Sequence, residues 1–176
     1  MALAGRGLLA IKDMPQEAFM NQVAFLQSTF ARRFLKETPT ERCDLPMLTD
    51  IVVTAMQPVL ERRSQTVHLE PAGRPVIVAG DLRLVFALLS AVVLEAAGLS
   101  SARATLRVAF DLDDGDAVVT IVGSNSNHLP RSLMRLDREL SELARQGGAE
   151  LELIWDELEG PTLVLRFPHA RASVAH

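Results

Sequence analysis

The sequence predicts an α+β protein: a two-layer sandwich with helices on one face of a mostly antiparallel sheet, preceded by a helical arm. Three observations predict it. Residues 80–98 form a helix that is apolar nearly all the way round, so it must be covered on several sides. Two stretches, 104–122 and 149–167, each hold a pair of short alternating strands around a turn. Helical patterns at 45–63 and 131–145 supply the rest of a second layer.

The arm comes first. Residues 14–36 repeat Phe19, Val23, Leu26, Phe30 and Phe34 at steps of three or four, with Pro15 at a tolerated first-turn position and Arg32, Arg33 and Lys36 at the dipole-compatible end. This apolar stripe either packs on its own domain or joins two chains as a dimerisation helix. Residues 38–43 form a polar connector. Asp44 then caps a helix over 45–63, whose buried face is read as Leu48, Ile51, Val52, Ala55, Val59 and Leu60. Pro58 should bend or shorten it.

Two short strands, 66–70 and 76–79, lead to the central helix, which Asp81 opens as an N-cap. Only Arg83, Ser90 and Glu95 interrupt its apolar run. The run is shorter than the roughly 20 residues of a bilayer crossing, and strands follow directly, so it reads as a core helix and not a membrane span. The hairpin at 104–122 turns at Asp113, Asp114, Gly115 and Asp116, an acidic tip with glycine where a positive φ is wanted. Its acidic residues read as a solvated turn, since no calcium-loop spacing follows. A polar loop, 123–130, precedes an amphipathic helix with Leu133, Leu136, Leu140 and Leu143 on one side, and Gly147 and Gly148 end that helix. The last hairpin closes the sheet. The expected organisation is an arm at 1–43, one domain at 44–168 and a tail at 169–176.

Composition narrows the function. The 176 residues are 48% hydrophobic and 23% charged, enough for one packed domain. A formal charge of -4 does not supply the basic surface that nucleic-acid binding needs. The single cysteine, Cys43, rules out an internal disulfide and weighs against a structural zinc site, which fits a reducing cytoplasm. The first residues lack a secretory apolar core.

The ordered series 43–70, 78–98 and 144–168 resembles the ATP-binding domain of bacterial sensor histidine kinases, a branch of the GHKL (Bergerat) fold. Residues 43–70 are similar to that family's entry helix and first strand. Residues 78–98 resemble the Gly-Asp-led helix bearing the asparagine box. Residues 144–168 resemble the closing helix, double glycine and final hairpin. The resemblance implies the fold and, in its usual form, magnesium-ATP as cofactor.

The motifs of that site are replaced. With Arg83 and Leu84 set on the family's Arg-Leu pair, Ser90 and Leu94 occupy the two asparagine positions, and leucine cannot coordinate magnesium. Glu95 is either a shifted substitute ligand or a buried carboxyl paired with arginine. The Asp-x-Gly-x-Gly turn that reads adenine is replaced by Gly123, Ser124, Asn125, Ser126 and Asn127, without aspartate. No glycine-rich turn precedes the last helix to hold phosphates, and the loop is too short for the family's lid. The expectation is therefore a degenerate pocket near Ser90, Leu94, Glu95, Gly123 and Asn125, with no cofactor, no metal and no catalytic residues.

No histidine falls on a predicted helix. His128 alone lies in the loop near the former nucleotide site, where a surface or capping role is the simpler reading. The expected function is that of a silent, kinase-like regulatory module that binds a protein partner in two-component signalling, either a response regulator or a sensor kinase, and forms a homodimer. Candidate contacts are Phe19, Phe30 and Phe34, and an arginine row of Arg131, Arg135 and Arg138 on one helix face. The alternative is a histidine phosphotransferase, whose C-terminal domain is also a degenerate version of this fold.

Overall fold

The structure is a computed structural model, and it describes residues 42–124, 133–156 and 160–168; the side chains of residues 133–137 and 139 lie outside that description. The order is β1 (Arg42–Asp44), α1 (Leu45–Arg62), β2 (Thr66–Leu69), β3 (Ile77–Ala79), α2 (Leu82–Leu99), β4 (Thr105–Asp113), β5 (Asp116–Val122), α3 (Leu133–Gln146), β6 (Glu150–Asp156) and β7 (Gly160–Phe167). A five-stranded sheet runs β2-β4-β5-β7-β6, antiparallel except for the parallel β2–β4 pair. This is the predicted two-layer α+β sandwich.

α2 is its centre. The Asp81 carboxylate accepts the Arg83 amide at 2.7 Å, and Val85 N–H donates to the Asp81 carbonyl at 3.0 Å, so the first turn is closed by the residue expected to close it. The helix passes the length and hydropathy test for a membrane span, yet 78% of that window is buried inside the fold. Phe86, Leu88, Leu89, Val92, Val93 and Leu94 are each 1% exposed or less. Burying each such side chain is worth about 1.5–3 kcal/mol, so this one helix supplies a large share of the core.

α1 packs beside α2, with Asp44 Oδ1 accepting the Met47 amide at 3.0 Å. Its buried face differs from the expected one: Ala55 is exposed, while Thr49 and Met56 are fully buried. Thr49 can face inward because its hydroxyl donates to the Leu45 carbonyl at 2.8 Å, which satisfies the polar group inside the helix. Pro58 does not shorten the helix, which continues to Arg62.

Two strand assignments change. Arg42 and Cys43, read as connector, form β1, which pairs antiparallel with β3 in a separate two-stranded ribbon, so the folded unit starts before residue 44. β2 and β3 are therefore not partners; β2 joins the main sheet against β4. The β4–β5 turn has positive φ at Asp114 and Gly115, the two-residue geometry that the Asp-Gly pair favours. Gly148, at φ 75, ends α3 as expected. The arm and the tail lie outside the described residues.

Candidate functional site

The expected site residues within the described structure lie on α2 and at the end of β5. Ser90 and Leu94 lie one turn apart on α2, each 1% exposed. The Ser90 hydroxyl donates to the Phe86 carbonyl at 2.8 Å, so it is engaged with its own helix. Leu94 belongs to the continuous hydrophobic core.

Glu95 lies on a neighbouring stripe, two turns after Leu88. The Leu88 Cδ2 atom approaches to 3.2 Å of a Cβ position on Gly147, so this stripe of α2 faces the end of α3. Glu95 is 8% exposed and has no hydrogen bond or ion pair among the described residues. Burial without a compensating charge pushes its carboxyl up to about 7.

The end of β5 is closed off. A Cβ on Gly123 would run into the Ser100 hydroxyl and stand 2.8 Å from Pro161 Cγ. Gly123 N–H donates to the Pro161 carbonyl at 2.7 Å, fixing the two strand ends against each other. Ser100 is held in turn by its own hydroxyl, which donates to the Ala96 carbonyl at 2.7 Å. Gly123 thus has no room for a side chain.

Beneath this corner lies a polar seam that no sequence pattern announces. Gln65 is 2% exposed, and its amide donates to the carbonyls of Ala97 at 3.0 Å and Ser101 at 2.9 Å. Arg63 Nη2 donates to the Ser100 carbonyl at 2.9 Å, and burial lowers the pKa of its guanidinium. The free carbonyls at the C-terminal end of α2 are thereby capped from the α1–β2 junction. Nothing in the local sequence of Arg63 or Gln65 signals this, because their partners lie on a different element.

The remaining expected residues are only partly placed. Arg138 is exposed on α3; Arg135 lies on the same helix, with its side chain outside the described set. Phe19, Phe30, Phe34, Asn125, His128 and Arg131 all lie outside the described residues. His68 is exposed on β2, on a strand and not a helix. Among the described residues no group of three metal-binding side chains comes together, and the acidic turn at Asp113 and Asp116 instead faces Arg166, at 2.8 and 4.0 Å. A separate groove of about 190 Å³, lined by Ile77, Ala117 and Phe167, sits at the opposite end of β5 from Gly123.

Solved structures resolve the architecture. The chain is similar to the catalytic domain of the histidine kinase ThkA, with a TM-score of 0.60 and 14% identity over 75% of this chain and 97% of that one. It has the histidine kinase catalytic-domain fold. The histidine kinase AdeS of Acinetobacter baumannii gives a TM-score of 0.63 and 13% identity over 86% of this chain and 77% of that one. The ATP-binding domain of PrrB from Mycobacterium tuberculosis gives 0.59 and 18%, over 73% and 96%. At these identities the likeness establishes the kinase fold and leaves activity to the residues. Neither a protein-family model nor a curated protein matches the sequence.

Proposed function

We propose that this chain is a kinase-fold regulatory module of bacterial two-component signalling, cytoplasmic, which has lost nucleotide chemistry and acts by binding a protein partner. The observation that carries the reading is the packing around Gly123, where Ser100 and Pro161 fill the space from which an adenine-reading side chain would extend. Leu94 supports it, since a buried hydrocarbon stands where a magnesium ligand is required. Ser90 supports it too, because its hydroxyl is already bonded to Phe86.

A kinase fold without nucleotide chemistry retains its outer surface. Arg138 is exposed on α3, and in the sequence Arg131 and Arg135 precede it by seven and three residues. Guanidinium groups in a row suit a partner with clustered carboxylates, such as the acidic pocket around a receiver phosphoacceptor. Either a response regulator or the receiver of a hybrid sensor kinase supplies that chemistry.

The test mixes the purified full chain with receiver domains from the same organism, phosphorylated and unphosphorylated, and follows both binding and label. Saturable binding that Arg138→Glu weakens at least tenfold, with no label on the chain from ATP or from phosphoreceiver, supports the reading. Label on any histidine of this chain contradicts it in favour of a phosphotransferase.

A further inference from the structure

Among the described residues the large apolar side chains left exposed are Met47 at 57%, Ile154 at 45% and Ile77 at 44%. Two of them flank Asp44. The ribbon register sets Asp44 opposite Ile77 and Arg42 opposite Ala79, so these four share its outer face, while Cys43 and Val78 are buried beneath. The Asp44 carboxylate accepts the Met47 amide at 3.0 Å, which brings the start of α1 to the same face. Next to Ile77 opens the groove of about 190 Å³, walled also by Arg42, Ala79, Ala117, Phe167 and Pro168. Ala117 and Phe167 are 3% and 2% exposed, so the groove reaches down to the core.

The chain enters the fold at this groove. Arg42 opens β1 and forms part of the groove wall, so residues 37–41 lead straight into it. Five residues span at most about 18 Å. Ahead of them lies the stretch 14–36, whose sequence predicts an amphipathic helix with Phe30 and Phe34 at its near end. A segment tethered this closely meets its own groove at an effective concentration on the order of millimolar, which a separate chain must exceed. Charge agrees. Gly115 also lines the groove, within the turn of Asp113, Asp114 and Asp116; with Asp44 these carboxylates outnumber the guanidiniums of Arg42 and Arg166, so the rim is net acidic. The end of the arm carries Arg32, Arg33 and Lys36 against the single acid Glu37.

We propose that the arm folds back on its own domain, its Phe30 and Phe34 end lying on the outer face of the ribbon with Phe34 seated in the groove. Of the two roles open to the apolar stripe, this is packing in cis, and it covers Ile77. The tail also leaves from the groove wall, at Pro168, but its one aliphatic side chain larger than alanine is Val174, six residues on, so it has less to bury there. The contact uses none of Ser90, Leu94, Glu95 and Gly123.

Ala79 supplies the readout, since it lines the groove and is exposed on the described surface. Maleimide labelling of full-length Ala79→Cys is followed in time, Cys43 being shielded at 1% exposure, with circular dichroism and melting temperature to verify folding. Docking slows the reaction. Adding Phe34→Asp should speed it roughly tenfold or more, at every protein concentration, while Phe34→Leu and Val174→Asp should leave it slow. Hydrogen exchange gives a second reading without the new cysteine: residues 28–36 should be protected in the unsubstituted chain and lose that protection in Ile77→Asp. An equal rate with Phe34→Asp, a rate that rises on dilution as an arm-swapped dimer would give, acceleration by Val174→Asp instead, or protection that is absent or survives Ile77→Asp overturns the proposal.

Discussion

Ser100 stands where a side chain on Gly123 would have to go. The two residues come from different elements, the end of α2 and the end of β5, and their approach leaves no room for a side chain at the end of β5. Gly123→Ala should therefore cost about 1–3 kcal/mol by overpacking, with no gain of nucleotide affinity. Ser100→Gly in the same chain should recover part of that loss, because Pro161 still crowds the site. Denaturant unfolding of the two single variants and the double measures the coupling.

Glu95 makes stability depend on pH. Its carboxyl is raised to about 7 in the folded chain, above its unfolded value near 4.5. The folded state therefore binds the proton more tightly, and stability falls as pH rises from about 4.5 to about 7. The full penalty above that window is on the order of 3 kcal/mol, at about 1.36 kcal/mol per pH unit. Glu95→Gln should flatten this part of the profile and be more stable than wild type at pH 8, with little difference at pH 4.5. Melting temperatures across the range check it.

Gln65 ties the α1–β2 junction to the end of α2. Gln65→Ala should cost about 2–3 kcal/mol, because the carbonyls of Ala97 and Ser101 lose their donor while buried. Gln65→Glu should be worse at neutral pH, since it turns a carboxylate toward those carbonyls. Urea midpoints of the two variants give the order directly.

Asp81 caps the helix that holds the core. Asp81→Ala should lower stability by about 1 kcal/mol, and Asp81→Asn by less, because asparagine can still accept the Arg83 amide. Chemical denaturation at fixed pH separates the two.

Much of this is legible in the sequence, for physical reasons. The all-round apolarity of α2 and the cap at Asp81 are local signals, as are the Asp114-Gly115 turn and the paired glycines after α3. The ribbon strand β1 is not legible, because three residues carry no periodicity and Cys43 acquires its place only by pairing with Val78. The rotation of the α1 face toward Thr49 and Met56 depends on a hydroxyl bonding back within its helix. At the site, Leu94 and the missing aspartate at Gly123 can be read by position. The filling of that space by Ser100 and Pro161, and the seam from Arg63 and Gln65, arise from contacts between distant parts of the chain and leave no local pattern.

The central claim is that the kinase fold persists here without its nucleotide. Isothermal titration calorimetry of the full chain with magnesium-ATP tests it most directly. No saturable heat at millimolar nucleotide is the predicted result. A saturable isotherm that disappears in Glu95→Gln, while the variant stays folded, would contradict the account.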